Sequence, residues 1–141
     1  MPDLKYVILW HDQIAQPHFD WMFETSPGSP LATWRAAVWP PTQTTLLERL
    51  PDHRADYLVF EGKLSKDRGQ VHRVESGHCQ IEATDNLWII RLTDRAFPPS
   101  PCTQGEGRGE GSSAVPKSLT LRIAKTTGNS WQCSPIPPAP A

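Results

Sequence analysis

The sequence contains no uninterrupted apolar run of the roughly 18 residues that mark a membrane-spanning helix. Its first residues, MPDLKYVILWHD, hold only a short apolar stretch and no small-residue cleavage site, so we expect neither a membrane span nor a signal peptide. The sequence also lacks a CxxC pair, and Cys79, Cys102 and Cys133 are far apart, which disfavours a disulfide framework or a zinc ribbon. We therefore expect a cytoplasmic protein.

An excess of basic residues is also missing. The chain has 14 lysines and arginines against 15 aspartates and glutamates, and its formal net charge is −1. Proteins that grip a long duplex through many phosphates are usually much more basic. If the substrate is nucleic acid, we expect the chain to contact a terminus or a single phosphate.

Tryptophan and proline are abundant, with 6 and 15 copies in 141 residues, a length that suits one domain. Short aromatic or β-branched runs alternate with turn residues along the chain. These runs predict strands at 4–10, 18–24, 33–39, 56–64, 70–75, 78–83, 86–92, 118–124 and 130–134, with turns at 76–77 and 128–129. One helical turn is predicted at 45–50, because Thr45 and Glu48 fit a capping box and Pro51 follows.

This pattern predicts a mainly β protein, namely a small antiparallel β-barrel of about eight strands with one or two short helical turns. We expect a single domain over residues 1–134. Within it, the low-complexity segment 97–116 is predicted to be a flexible insertion, and residues 135–141 are predicted to be a disordered tail.

The stretch WHDQIAQPHFDW at 10–21 carries two histidines and two aspartates. Alternation along the strand 18–24 puts four side chains on one face, opposite the aromatic ones: His18, Asp20, Met22 and Glu24. His11 follows the preceding strand, and an antiparallel return would bring it near His18. Two imidazoles and a carboxylate suit manganese, iron or zinc better than calcium. Spacing alone slightly favours strand-end histidines at a solvated rim, with Asp12 and Asp20 as turn formers, because isolated histidines are more often structural than metal-binding.

A second cluster, LPDHRADYLVFEG at 50–62, places His53 and Tyr57 ahead of a predicted strand. Together with HD-x5-HFD, it resembles the 3′-phosphoesterase domain of bacterial DNA ligase D, an end-processing module of non-homologous end joining. That family typically shows HD, a short spacer, HYD-x-R-x-E, and later EDHPLDY-x-x-FEG. The resemblance covers about residues 5–95, and residues 118–133 match the closing strands of the family more loosely.

The resemblance implies a small barrel with a groove that binds manganese (Zn²⁺ or Co²⁺ being alternatives) and removes a 3′-phosphate or 3′-ribonucleoside from DNA ends. It implies metal ligation by His11, His18 and Asp20. It also implies that His53 contacts the phosphate or acts as an acid/base, and that Tyr57 donates a hydrogen bond to a phosphate oxygen.

Other expectations accompany this assignment. Arg49 and Arg54 are candidate substrate-binding residues, and Asp12 is a candidate to orient a metal-binding imidazole. The expected partners are nucleic-acid 3′ termini and DNA-repair ligase or polymerase proteins, and we expect a monomer that does not associate with membranes.

The chain departs from the family pattern at several positions. The spacer between the first two histidines is one residue longer, Leu9 stands where the family has glutamine, and Trp39-Pro40-Pro41 stands where it has Lys-Gly. Met22 replaces an arginine that would clamp a phosphate, and methionine cannot form that bidentate contact. Another arginine would have to supply the phosphate contact, and the candidates are Arg35, Arg49, Arg54 and Arg68.

Two alternatives therefore remain open. The first is a binding module that keeps the metal and the groove but turns over weakly or not at all. The second is an iron oxygenase with two histidines and one carboxylate, although such enzymes usually carry the His-x-carboxylate pair first, which is the reverse of the order here.

Overall fold

The computed structural model describes residues 3–66, 68–97 and 118–136. Its strands are β1 (Leu4–Asp12), β2 (His18–Glu24), β3 (Leu31–Ala36), β4 (Thr45–His53), β5 (Gly62–Lys63), β6 (Gln70–Ala83), β7 (Leu87–Ala96), β8 (Leu119–Thr127) and β9 (Ser130–Ile136). A 3-10 turn at Ala55–Leu58 is the one helical segment within these ranges. In the same ranges, no helix has the length and apolar character needed to cross a membrane.

The strands form one antiparallel sheet that closes on itself. Neighbours follow the order β1-β2-β3-β4-β9-β8-β7-β6, and β1 pairs in turn with β6 to complete an eight-stranded barrel. The two-residue β5 lies outside this ring and pairs with the beginning of β6. The predicted mainly β, antiparallel barrel of about eight strands is therefore confirmed.

Aromatic side chains fill the interior of the barrel. All eight strands of the ring contribute buried residues to one core, which explains why the strands need no helical layer to cover them. Trp34 lies near its centre, with the ring of Trp88 at 4.9 Å and that of Trp131 at 5.8 Å, both edge-on. The high tryptophan content therefore serves mainly to fill this interior.

One charged group is enclosed with the aromatic core. The Glu75 carboxylate accepts hydrogen bonds from the Tyr6 hydroxyl at 2.5 Å and from the Trp39 indole at 2.9 Å. The Arg95 guanidinium donates to both oxygens of Glu75, at 2.8 and 2.9 Å. Because both carboxylate oxygens are satisfied, the enclosed charge is compensated.

The helical turn predicted at 45–50 is wrong, since these residues begin β4. Leu47 points into the core while Leu46 is exposed, which is the alternation of a strand. β4 pairs with β3 on one side and β9 on the other, and closing the barrel requires both ladders. Tertiary pairing has overridden the local capping signal.

Two other local predictions fail in whole or in part. Residues 56–64 were expected to form one strand, but successive i→i+3 hydrogen bonds, such as Tyr57 N–H to Arg54 C=O, make a 3-10 turn at Ala55–Leu58, and within the predicted run only Gly62–Lys63 is a strand, β5. Residues 76–77 were expected to be a turn, but β6 runs through them with an irregular register against β7. A Cβ on Gly77 would lie 2.7 Å from the main-chain oxygen of Asp94, so this glycine permits close approach of two strands and does not reverse the chain.

The described residues allow only part of the predicted domain limits to be compared with the structure. β9 continues through Pro135 and Ile136, so the expected tail does not begin at residue 135. The rest of that tail, 137–141, and nearly all of the expected insertion, 98–116, lie outside the described residues. The turn predicted at 128–129 is confirmed and joins β8 to β9.

Candidate metal centre

The N-terminal hairpin brings together the three residues expected to bind metal. His11 on β1 lies directly opposite His18 on β2, and Leu9 lies opposite Asp20. Side chains two apart on a strand share a face, so His18 and Asp20 project on the same side as His11. This is the outer side of the barrel wall, because Trp21 and Phe23 of β2 point into the core.

Donor atoms of the three side chains all lie within 4.8 Å of one another. His11 Nδ1 is 3.5 Å from one oxygen of Asp20, and His18 Nε2 is 3.1 Å from the other. With metal–ligand bonds of about 2.1 Å, two ligand atoms lie about 3.0 Å apart at a right angle and about 3.4 Å apart at a tetrahedral angle. The separations to Asp20 are therefore those of ligands around one cation.

Main-chain carbonyls orient both imidazoles. His11 Nε2 lies 2.7 Å from the carbonyl oxygen of Arg68, and His18 Nδ1 lies 2.8 Å from that of Gln16. A carbonyl can only accept, so each of these nitrogens carries the proton and donates it. The neutral rings then direct unprotonated nitrogens, Nδ1 of His11 and Nε2 of His18, toward Asp20, which is how proteins commonly prepare histidines for a metal.

The three side chains His11, His18 and Asp20 (the trio) do not by themselves compensate the buried negative charge of Asp20. Asp20 is 4 % exposed, and its Oδ1 is buried without a hydrogen-bond donor among the described residues. Two imidazole lone pairs and a buried carboxylate repel one another unless a proton or a metal cation lies between them. Burial by itself would lower the pKa of His18, but the Asp20 carboxylate and the Gln16 carbonyl outweigh it and raise that pKa above its ordinary value.

The donor set therefore fits a divalent transition metal. Two imidazole nitrogens and one carboxylate leave several coordination positions open to water or substrate, as in catalytic sites of Mn²⁺, Zn²⁺ or Co²⁺. Among the described residues, this is the one cluster of three or more histidine, cysteine, aspartate or glutamate side chains with that spacing.

Gly69 allows the loop that orients His11 to approach closely. Its φ of +86° lies in the left-handed region, and a Cβ placed on it would lie 3.2 Å from His11 Nε2 and clash with the main-chain oxygen of Asp12. Arg68, whose carbonyl accepts the hydrogen bond of His11, is the preceding residue. A small residue at position 69 is thus part of the arrangement around the trio.

The face that carries the trio is less polar than expected. Met22 is 1 % exposed and packs in a cluster outside the barrel wall made of Val7, Leu9, Met22, Leu31 and Val71. Side chains from the 55–64 segment, including Tyr57 and Leu58, cover this outer cluster. The part of this face around Met22 is therefore enclosed, because the 55–64 segment folds back over the sheet.

His53 and Tyr57 contact each other but not the trio. Their rings lie 5.7 Å apart, and His53 Nδ1 bonds the carbonyl of Pro51 at 2.8 Å. His53 lies opposite Leu31, which lies opposite Glu24, so sheet spacings put it roughly 16 Å from Asp20. No hydrogen bond, ion pair or ring contact in the described part of the chain links either residue to the trio.

The predicted substrate arginines lie elsewhere. Arg49 stacks on Trp34 and Trp88, with its guanidinium carbon 4.7 and 5.5 Å from the ring centroids, and burial lowers its pKa. It therefore faces the core side of the wall and not the trio, since alternation along β4 sends it inward. Arg54 precedes the 3-10 turn and lines a separate cavity of about 300 Å³ beside Tyr57.

Asp12 does not orient His11. Its carboxylate lies 3.8 Å from His72 Nε2, while the two nitrogens of His11 face Asp20 and the Arg68 carbonyl. The adjacent position in the sequence suggested a contact that strand geometry prevents, because neighbouring side chains on β1 point to opposite faces.

Arg35 is the cation that the fold brings beside the trio. It lies directly opposite Asp20 across β2 and β3, on the same outer face. It also lines a cavity of about 310 Å³ together with His18 and Glu48. The sequence marked Arg35 only as one of four possible replacements for the missing arginine, because nothing local specifies the β2–β3 register.

Comparison with known proteins adds no family assignment. No protein-family model matches this chain, and no curated protein is significantly similar to it.

Proposed function

We propose that this protein is a metal-dependent phosphoesterase that acts on the 3′ ends of DNA, as a divergent, stand-alone relative of the DNA ligase D phosphoesterase domain. The observation that carries the proposal is the trio His11, His18 and Asp20, with both imidazoles oriented by carbonyls. A set of three protein ligands with open positions is the arrangement that hydrolytic metal sites use.

In this proposal, the three side chains hold one divalent cation, with Mn²⁺ the first choice. When bound, the cation would supply Lewis-acid activation of a phosphoryl oxygen and of the attacking water. Asp20 contributes the negative charge that holds the cation, and the carbonyls of Gln16 and Arg68 keep the two rings in place. The hydrolysed group would be a 3′-phosphate or a 3′-ribonucleoside.

The roles that the family resemblance implies for His53 and Tyr57 do not transfer directly, since neither side chain contacts the trio within the described residues. For them to act, a bound strand would have to extend from the metal along the outer face toward the 3-10 turn. Their involvement therefore stays a prediction, as do a cytoplasmic location and an association with DNA-repair ligase or polymerase proteins.

The test is hydrolysis by the purified protein. Mn²⁺-loaded protein is incubated with a 3′-phosphorylated primer–template and, separately, with a primer that ends in one ribonucleotide. We expect release of phosphate or of the ribonucleoside, with loss of product in His18→Ala and retention in His78→Ala, whose half-exposed side chain lies on β6 and pairs with Asp94. An inactive wild-type protein on both substrates would remove the enzymatic proposal.

A binding module is the second candidate, and the buried Met22 is the observation that favours it. Without a cationic side chain at position 22, the protein would hold a 3′ end and hydrolyse it slowly or not at all. Metal-dependent binding of a 3′-phosphorylated strand without product would distinguish this function from the first.

A further inference from the structure

The metal ligand His18 is also part of a cavity between β2 and the beginning of β4. The cavity has a volume of about 310 Å³, and its polar lining includes His18, Arg35 and Glu48. Arg35 is the one arginine or lysine among the described residues that line it. The cavity thus has one candidate metal ligand, His18, on one strand and a guanidinium, that of Arg35, on the next.

Strand register explains why these groups meet. Asp20 on β2 lies opposite Arg35 on β3, and Arg35 lies opposite Glu48 on β4. Adjacent strands are about 4.8 Å apart, so the Arg35 side chain needs to span only one interstrand distance to place its guanidinium beside the trio. A phosphate held there would touch the cation site and Arg35 at once.

The guanidinium of Arg35 is only loosely engaged. It forms no ion pair with Asp20 in the described part of the chain, and its Nη1 lies 3.5 Å from Glu48 Oε1. The two side chains of this pair are 40 % and 55 % exposed, and such pairs contribute little to stability. Its Nε is buried without an acceptor among the described residues, so donors remain for an incoming anion.

We propose that Arg35 and the cavity beside His18 form an oxyanion subsite that takes a phosphate group next to the metal. The subsite deepens the proposed function, on which its biological role rests, by placing the phosphoryl group between the trio and β3. Arginine is suited to this role because its fork of N–H donors matches two phosphate oxygens.

Position 22 does not offer the same contact. Met22 lies opposite Thr33 in the outer cluster, under the segment that includes Tyr57 and Leu58. The positive charge on the trio's face therefore stands one strand further across the sheet, at Arg35. The phosphate is accordingly expected on the β3 side of the metal and not on the side of the 3-10 turn.

Glu48 acts as a competitor in this arrangement. Its carboxylate lies near the same guanidinium that the anion would use, and it adds negative charge to the cavity. Removing that charge should strengthen anion binding, whereas removing the charge of Arg35 should weaken it. Opposite effects from two neighbouring residues are a more specific signature than a loss of binding alone.

The test is calorimetric titration of inorganic phosphate into the full-length, Mn²⁺-loaded protein. We expect Arg35→Gln to weaken phosphate binding by about tenfold or more, Arg35→Lys to retain an intermediate affinity, and Glu48→Gln to strengthen binding by about threefold. Arg91→Gln is the matched control, because Arg91 is exposed on β7, four strands from β3 in either direction around the barrel.

Unchanged phosphate binding in either Arg35→Gln or Glu48→Gln would overturn the proposal, as would a wild-type protein that binds no phosphate. Because Arg35→Lys keeps the charge and most of the side chain, it separates loss of the subsite from loss of the fold. Phosphate binding requires no hydrolysis, so a wild-type protein that binds phosphate but cleaves no nucleic acid would refute the proposed function and leave the subsite standing.

Discussion

His11 and His18 face each other across β1 and β2 with their ring centroids 5.1 Å apart, and each ring is held by a carbonyl on its far side. We therefore expect one Mn²⁺ per chain, and His18→Ala should weaken its binding by more than about 100-fold, since losing even an orienting partner costs about 10–100-fold. Titration calorimetry and elemental analysis measure this.

The metal should also stabilise the fold. At 100 times the dissociation constant, binding to the native state alone adds about 2.7 kcal/mol to the free energy of unfolding. His78→Ala is the control, because its half-exposed ring lies on β6 and pairs with Asp94 at 3.3 Å. Equal metal affinity in His18→Ala and the wild type would rule out this site.

Gly69 and Gly28 offer a matched pair for testing the loop beside His11. Both have positive φ, +86° and +80°, but only Gly69 has neighbours within 4 Å of an added Cβ. Gly28→Ala should cost about 1–2 kcal/mol of unfolding free energy for its backbone conformation alone. Gly69→Ala should cost more and should weaken Mn²⁺ binding by about tenfold, because the Arg68 carbonyl must move. Urea unfolding and metal titration of both variants test this, and equal effects would contradict it.

Met22 provides a test of the outer cluster. Because the side chain is 1 % exposed, Met22→Arg would place a charge among Val7, Leu9 and Leu31 and should lower the free energy of unfolding by about 3 kcal/mol or more. Met22→Leu, which keeps the volume, should cost less than about 1.5 kcal/mol. Denaturant unfolding compares the two variants. A fully stable Met22→Arg protein with raised phosphoesterase activity would show that this residue is not enclosed.

The Tyr6–Glu75 hydrogen bond makes stability depend on pH in the alkaline range. Burial, followed by the Glu75 carboxylate, raises the pKa of Tyr6 above its ordinary value of 10.0. The native state then keeps a proton that the unfolded chain loses, so this contribution is complete below pH 10 and is lost as the pH rises further. The slope approaches about 1.4 kcal/mol per pH unit.

Tyr6→Phe removes the phenol and with it this pH dependence. At pH 7 the variant should be less stable by about 1.5–3 kcal/mol, because a hydrogen bond to a buried carboxylate is lost. The difference between the two proteins should shrink between pH 10 and 11, as measured by urea unfolding at each pH. A difference that stays constant over this range would contradict the raised pKa.

Side-chain alternation correctly predicted the strand that carries the candidate site. The run HFDWMFE coincides with β2, and the division between its aromatic and its His18–Asp20 face is the observed one. The hairpin return that brings His11 to His18 was also foreseeable, because a short link joins two strong strand patterns. These features depend on neighbouring residues only.

Other features depended on partners distant in the sequence. Thr45 and Glu48 suggested a helical start, yet ladders to β3 and β9 make the segment a strand. The 55–64 segment reads as a strand by composition, but it turns and packs Tyr57 and Leu58 over the outer cluster. Local propensity is weak beside the burial gained from such packing.

By itself, the sequence determined the class of the fold and the three side chains of the candidate metal centre, because alternation and a short hairpin act over a few residues. Only the tertiary structure decided the surroundings: Met22 is enclosed, His53 lies away from the trio, and Arg35 lies beside it. Each of these outcomes follows from strand register and from a segment folding back, and neither is encoded by residues adjacent in the chain.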